Sequence, residues 1–176
     1  RILEYNLRCV RSEEWMSNTI RVGMSEIVVS QTPDLLMTLG LGSCVGVCIY
    51  DSLLKIGGMA HVMLPDSSMS KEVTNRGKYA DTAVPVLVEK MQQMGALKNR
   101  MIVKIAGGAQ MFAYSGMDHK MQIGPRNVLA VEKSINSIGL RISGKSVGGN
   151  LGRSIYMDLA TGEVKVRMLN SPEIIL

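Results

Sequence analysis

From Leu35 to Tyr50, between Asp34 and Asp51, the chain carries no charged residue, and glycines at 40 and 42 break the run. A stretch so apolar has to be buried, yet it is shorter than the roughly 20 apolar residues that span a bilayer. It reads as core, with Leu35 to Leu39 and Val45 to Tyr50 as two strands joined by a glycine-rich bend. The same β-rich pattern recurs on either side. Ile27 to Ser30 precedes the pair across a Thr32-Pro33-Asp34 turn signal, and Ile56 to Leu64 follows it, closed by Pro65. The polar run Asp66 to Lys78 is a surface loop long enough to cover a site.

Helical spacing then appears. Ala80, Val84, Leu87, Val88, Met91 and Met94 recur at that period with Gly95 behind them. Pro85 sets the start of this helix at about Thr82, because a proline deeper inside loses a backbone bond. Met101 to Ala106 is a strand ending in Gly107-Gly108, and Pro125 to Ile138 is a second helix with proline near its first position and Gly139 after it. Ile155, Met157 and Leu159, then Val164, Val166 and Met168, alternate with polar residues around Thr161-Gly162, the pattern of a hairpin with one buried face. The chain is mixed α and β, without internal repeats. Residues 1–15 lack any such pattern and are treated as an extension of unknown status, with Met16 a candidate start. Residues 16–176 are expected to form a single domain.

Composition narrows function by exclusion. The 20 Lys and Arg against 15 Asp and Glu are dispersed, and aromatics are only 4%, whereas a nucleic-acid surface calls for clustered basic residues interleaved with aromatics. The single Phe and single Trp leave the core to aliphatics and 14 Met. Cysteines at 9, 44 and 48 are odd in number, and no apolar leader segment is present in the sequence. They suit a reducing cytoplasm better than a disulfide framework.

Chemistry concentrates on Cys44. It follows Gly40-Leu41-Gly42-Ser43, where the backbone can turn sharply and present N–H groups of Gly42, Ser43 and Cys44 to a carbonyl oxygen. A buried, inert thiol is the plain alternative. No Lys or Arg lies between Arg21 and Lys55, so activation has to come from a histidine brought in by the fold. His119 sits in the polar segment Asp118-His119-Lys120, the setting of a solvated histidine. His61 sits in the apolar run Gly58 to Pro65 and is either a hydrogen-bonded core histidine or the helper. The short connection Asp51 to Lys55 pairs the flanking strands as a hairpin and brings Cys44 near His61. Thr38 is the candidate to hold the imidazole, but six residues of straight strand put it roughly 20 Å from Cys44. It joins only if the chain folds back at Gly40 to Gly42 or if it reaches His61 from another direction. Cys48, about 13 Å along the strand from Cys44, is read as a small core residue. A zinc site from Cys44, Cys48 and His61 lacks a fourth ligand, and no metal or cofactor is expected.

The runs Thr38-Leu-Gly-Leu-Gly-Ser-Cys44-Val, Met59-Ala-His61-Val-Met-Leu-Pro65-Asp66 and Gly77-Lys-Tyr-Ala-Asp-Thr82 together resemble the CheD family. Ile105-Ala-Gly-Gly-Ala-Gln-Met-Phe112, Gly124-Pro-Arg-Asn127 and Gly148-Gly-Asn-Leu-Gly-Arg153 continue the resemblance in order. It implies a nucleophile at Cys44, its histidine at His61 and an assisting Thr38. It implies hydrolysis of glutamine side-chain amides on methyl-accepting chemoreceptors in bacterial chemotaxis, and binding to the CheC phosphatase. The implied fold is α+β, two packed mixed β-sheets flanked by helices in α/β/β/α layers, similar to cytotoxic necrotizing factor toxin catalytic domains. From a different class, a non-catalytic adaptor docking on the phosphatase through a Met-bearing surface is the alternative, and receptor methylesterase chemistry at the same thiol is a further one.

Overall fold

The computed structural model describes residues 17–112 and 122–176. The extension expected over residues 1–15 and the loop histidine His119 lie outside them. In chain order the strands are β1 (Thr19–Arg21), β2 (Ile27–Gln31), β3 (Leu35–Leu41), β4 (Val45–Asp51), β5 (Ile56–Val62), β6 (Met101–Gly107), β7 (Ile142–Val147), β8 (Arg153–Asp158), β9 (Val164–Met168) and β10 (Ile174–Ile175). The helices are α1 (Ala80–Gln93) and α2 (Ile123–Ser137).

β4 and β5 are buried at every position, as strands are only when both faces of their sheet are covered. They form the middle of a sheet ordered β2-β5-β4-β6-β7, antiparallel except for the parallel β6–β7 edge. A second mixed sheet runs β1-β3-β8-β9-β10, with β1 and β3 parallel. Side chains alternate between two cores. Val45, Val47, Ile49, Ala60 and Val62 pack with Leu87 and Met91 of α1 and Val131 and Ile135 of α2. Cys48, Tyr50 and Met59 point the other way and meet Leu36, Leu41, Ile155, Met157 and Val166 of the second sheet. Among the described residues the order of layers is therefore helices, one sheet, the other sheet. Both helices lie on the same outer face, and no described helix covers the far side of the β1-β3-β8-β9-β10 sheet.

The element boundaries differ from expectation where prolines were weighed. α1 begins at Ala80, two residues before Thr82, so Pro85 stands inside the helix and leaves the Asp81 carbonyl without its i+4 donor. The early start is held by Ala80 N–H on the Leu64 carbonyl and by Ala83 N–H on the Tyr79 carbonyl. α2 begins at Ile123, so Pro125 is its third residue, still within the first turn where no intrahelical donor is required. Both helices end alike: Gly95 and Gly139 take positive φ, and the pairs Gly95→Gln92, Ala96→Met91 and Gly139→Asn136, Leu140→Ile135 close the last carbonyls.

The β4–β5 hairpin is anchored by one carboxylate. Asp51, completely buried, accepts from Leu53 and Leu54 N–H in the turn, from Leu97 N–H, and from Arg100 Nε and Nη2. The Arg100 guanidinium is the main cause holding its pKa down at about 2, below the usual 3.8. A carboxylate whose folded pKa is depressed adds stability that is full above the unfolded pKa and is lost as pH falls through the folded one. Stability is thus expected to decline between about pH 4 and pH 2 in urea titrations. Asp51→Asn should cost roughly 1.5–3 kcal/mol at pH 7 and flatten that acid dependence. An unchanged urea midpoint would show that the five-donor cluster does not support the hairpin.

Candidate active site

Continuity between the two sheets makes the site. β3 belongs to one sheet and β4 to the other, so residues 42–44 carry the chain across the gap, and Cys44 stands at that corner, one residue before β4. Gly40 prepares the crossing. It takes φ +67° at the irregularity between Thr38 and Leu41 in the β3–β8 pairing, so the bulge is a glycine bulge. Beyond it the carbonyls of the corner are held by a second glycine turn: Ala109 N–H donates to Gly42 (2.8 Å) and Gly108 N–H to Cys44 (2.7 Å). Gly107 makes this approach possible. Its φ is +121°, and a Cβ there would stand 2.2 Å from the Cys44 carbonyl oxygen.

His61 is fixed by parity. In the β4–β5 ladder it pairs with Gly46, and like Met59 it points into the gap between the sheets. Cys44, two residues before Gly46, is the diagonal neighbour of His61 on that face, a relation that places backbones about 7–8 Å apart and side chains closer. The hairpin expected to join them is present. Thr38 reaches the ring from the opposite sheet: its Oγ1 lies 2.8 Å from His61 Nδ1 and donates to the Val22 carbonyl at 2.8 Å. Of the two routes open to Thr38, it takes the second, approaching His61 from another direction, because β3 lies across the interlayer gap from β5.

That bond fixes the tautomer. A carbonyl can only accept, so the single Thr38 hydroxyl proton goes to Val22, and the hydroxyl oxygen is left to accept the Nδ1–H of His61. Nε2 therefore carries the free lone pair, and it has no hydrogen-bond partner among the described residues. Burial lowers the His61 pKa below 6.5, partly opposed by the Val22 carbonyl and the Glu26 charge. Burial also raises the Cys44 thiol above 9.0. Both shifts favour a thiol and a neutral imidazole over a standing ion pair.

The two cysteines separate cleanly. Cys44 is partly exposed, whereas Cys48 is sealed in the interlayer core with its thiol pushed up to about 12 by burial. The N–H groups of Ser43 and Cys44 are used by no carbonyl among the described residues, which leaves them available to a developing oxyanion. The Gly42 carbonyl is engaged by Ala109, and the face of Gly42 is covered by Met111, whose Sδ lies 2.8 Å from where a Cβ would be.

Two buried polar residues entered the sequence reading only as members of motifs, with no role assigned. Asn127 of α2 donates from Nδ2 to the carbonyls of Ser43 (2.9 Å) and Met63 (2.8 Å). Arg153 of β8 donates to the carbonyls of Ser146, Gly148 and Leu151. Each had a signal. Asn127 falls on the apolar stripe shared by Val131 and Ile135, and Arg153 falls on the inward phase of Ile155 and Met157, where a polar residue has to be bonded.

The described residues form a two-sheet α+β protein with a partly exposed thiol at the corner between its sheets and an imidazole of one sheet oriented from the other. Comparison with known proteins defines the family. Residues 63–168 match the family described as CheD chemotactic sensory transduction. A protein of Desulfitobacterium hafniense named "Probable chemoreceptor glutamine deamidase CheD" is 45% identical over 158 residues, 90% of this chain and 98% of the relative. Proteins of the same name from Desulforamulus reducens (44% over 155 residues, 87% and 92%) and Syntrophomonas wolfei (42% over 161 residues, 92% and 100%) are similarly close. The chain belongs to the CheD family.

Thr38→Val removes one hydroxyl and strands both the Val22 carbonyl and His61 Nδ1. It should cost about 1–3 kcal/mol in denaturant titration and scramble the tautomer seen by heteronuclear NMR of the ring nitrogens, while Thr38→Ser restores both. A retained Nδ1–H tautomer in the valine variant would refute Thr38 as its determinant.

Proposed function

We propose that this chain is a chemoreceptor glutamine deamidase, a protein-glutamine amidohydrolase with Cys44 as nucleophile, His61 as general base and acid, and Thr38 as the group that orients His61. The observation that carries the reading is the Thr38–His61 bond at 2.8 Å, which leaves Nε2 bare on the face that Cys44 shares. The names of the CheD relatives support the substrate. As the thiol attacks the carboxamide carbon, its proton passes to His61 Nε2, and the oxyanion is met by the N–H groups of Ser43 and Cys44. The imidazolium returns that proton to the departing nitrogen, ammonia leaves, and a thioester remains. Water, deprotonated by His61, then cleaves the thioester to glutamate and restores the thiol.

A protein substrate suits the rim. Leu39, Met111, Phe112 and Leu151 are exposed, and Met111 touches both the Gly42 and Gly152 positions, so apolar surface adjoins the thiol. The same surface supports binding of the CheC phosphatase as a second partner. No helix among the described residues is long and apolar enough to cross a membrane.

Ammonia release from a receptor fragment tests the chemistry. Cys44→Ala should abolish it and His61→Ala should slow it by about 100-fold or more, with Cys44→Ala still binding the phosphatase. The base works only when neutral, and burial moves its pKa down. Activity should therefore persist as pH falls through 6.5 and decline only below it. An acid limb centred above pH 7 would point to an imidazolium–thiolate pair and overturn the neutral mechanism.

A further inference from the structure

The strand pair that carries Cys44 and His61 comes apart where the site begins. β4 and β5 stay in register from Asp51 opposite Ile56 to Val45 opposite Val62, and the next rung would set Cys44 against Met63. That rung is not made. The Cys44 carbonyl turns to Gly108 N–H (2.7 Å) and Met63 N–H turns to the Lys78 carbonyl (3.0 Å). Into the fork comes Asn127, whose one amide nitrogen donates to the carbonyl just before Cys44 and to the carbonyl two residues after His61.

We propose that Asn127 is a positioning residue for the deamidation assigned above, a side-chain rung that sets the distance between thiol and imidazole. The proposal rests on that assignment of Cys44 and His61. The residue type is dictated by the site. Both neighbours are carbonyls, so the amide nitrogen has to face them, and two donors on one short planar head are what asparagine supplies. Aspartate would turn an acceptor toward both carbonyls, and serine has a single donor. Asn127 also pays nothing back to packing: it is completely buried, and its Oδ1 has no hydrogen-bond partner among the described residues. A leucine would fill such a place on an apolar helix stripe without that desolvation. The two N–H bonds are what the position retains, and they end on Ser43 and Met63, just outside β4 and β5 and next to the reacting pair. The neighbouring turn of α2 reinforces the hold, since at Gly124 a Cβ would stand 2.4 Å from the Ala109 carbonyl, part of the turn that cradles the corner.

Asn127→Asp and Asn127→Leu separate this role from fold maintenance. In each, kcat for ammonia release from a receptor fragment should fall about 10- to 100-fold, the scale of a 1 Å misplacement, with KM changed less than about twofold. The alkylation of Cys44 by iodoacetamide, measured against pH, should lose its His61-dependent component, defined by the difference between wild type and His61→Ala. Thermal unfolding shows whether each variant is folded at the assay temperature. A folded variant with wild-type kcat, or with an unchanged alkylation profile, overturns the proposal. Unfolding of both variants overturns it too, because Asn127 would then hold the fold and not the fork. Should the wild-type protein itself release no ammonia, the deamidase reading fails instead, and the alkylation profile still tests whether Asn127 sets the fork.

Discussion

A histidine placed between two β-sheets can stay there only if one ring nitrogen is satisfied without water, and Thr38 satisfies it from the facing sheet. The rest of the site follows from that contact. Because β3 continues directly through residues 42–44 into β4, the strand that carries Thr38 to the ring also leads into Cys44. Two strands from different sheets and one corner between them hold three side chains, with no long loop in the arrangement. Gly46, opposite His61, keeps the gap narrow: a Cβ there would sit 2.4 Å from Ile155 Cδ1 and 3.2 Å from Leu41 Cδ1. The ring itself is almost completely buried, with Thr38 on its Nδ1.

The choice of a hydroxyl as orienting group has an electrostatic consequence. A carboxylate at that place would stabilise the imidazolium and raise its pKa. Threonine fixes the same tautomer without adding charge, so desolvation dominates and His61 stays neutral. Desolvation also dominates at Cys44, in the opposite direction on the pH scale, and the two shifts favour the same uncharged pair.

How much of this was legible depends on whether a contact lies along the chain or across it. The β4–β5 hairpin was readable from one short connection, and with it the register that sets Gly46 opposite His61. Thr38 was named, yet its path was obscure, because strand spacing measures distance within a sheet and is silent about which strands face each other across a gap. The amphipathic stripes of α1 and α2 were plain, but a stripe does not say which sheet face it covers, and both helices chose the same one. β7 escaped notice because it is a half-buried edge strand, Ile142–Val147, with Gly144 and Lys145 interrupting its alternation. The helix starts were misjudged through prolines: Pro85 is tolerated in the second turn of α1 because the Ala80 and Ala83 N–H groups already anchor the first turn on the Leu64 and Tyr79 carbonyls.

Backbone, more than side chains, shapes the corner, and this explains where the glycines and the buried arginine stand. The carbonyls of Gly42 and Cys44 are held by N–H groups of residues 108 and 109, and Gln110 N–H in turn binds the Gly149 carbonyl. Gly148 and Gly149 take φ of +77° and +70°, so this outer turn is open to glycine and costly for other residues. Arg153 closes it, donating to the carbonyls of Gly148 and Leu151 and to Ser146. Its guanidinium is buried, its pKa is lowered by desolvation, and among the described residues it has no carboxylate in ion-pair range. A buried cation held by carbonyls and one hydroxyl, with its Nε lacking a partner among the described residues, is a costly device unless those carbonyls have to be kept where they are. Here they frame the turn that binds Gln110, beside the residues whose N–H groups hold the Gly42 and Cys44 carbonyls.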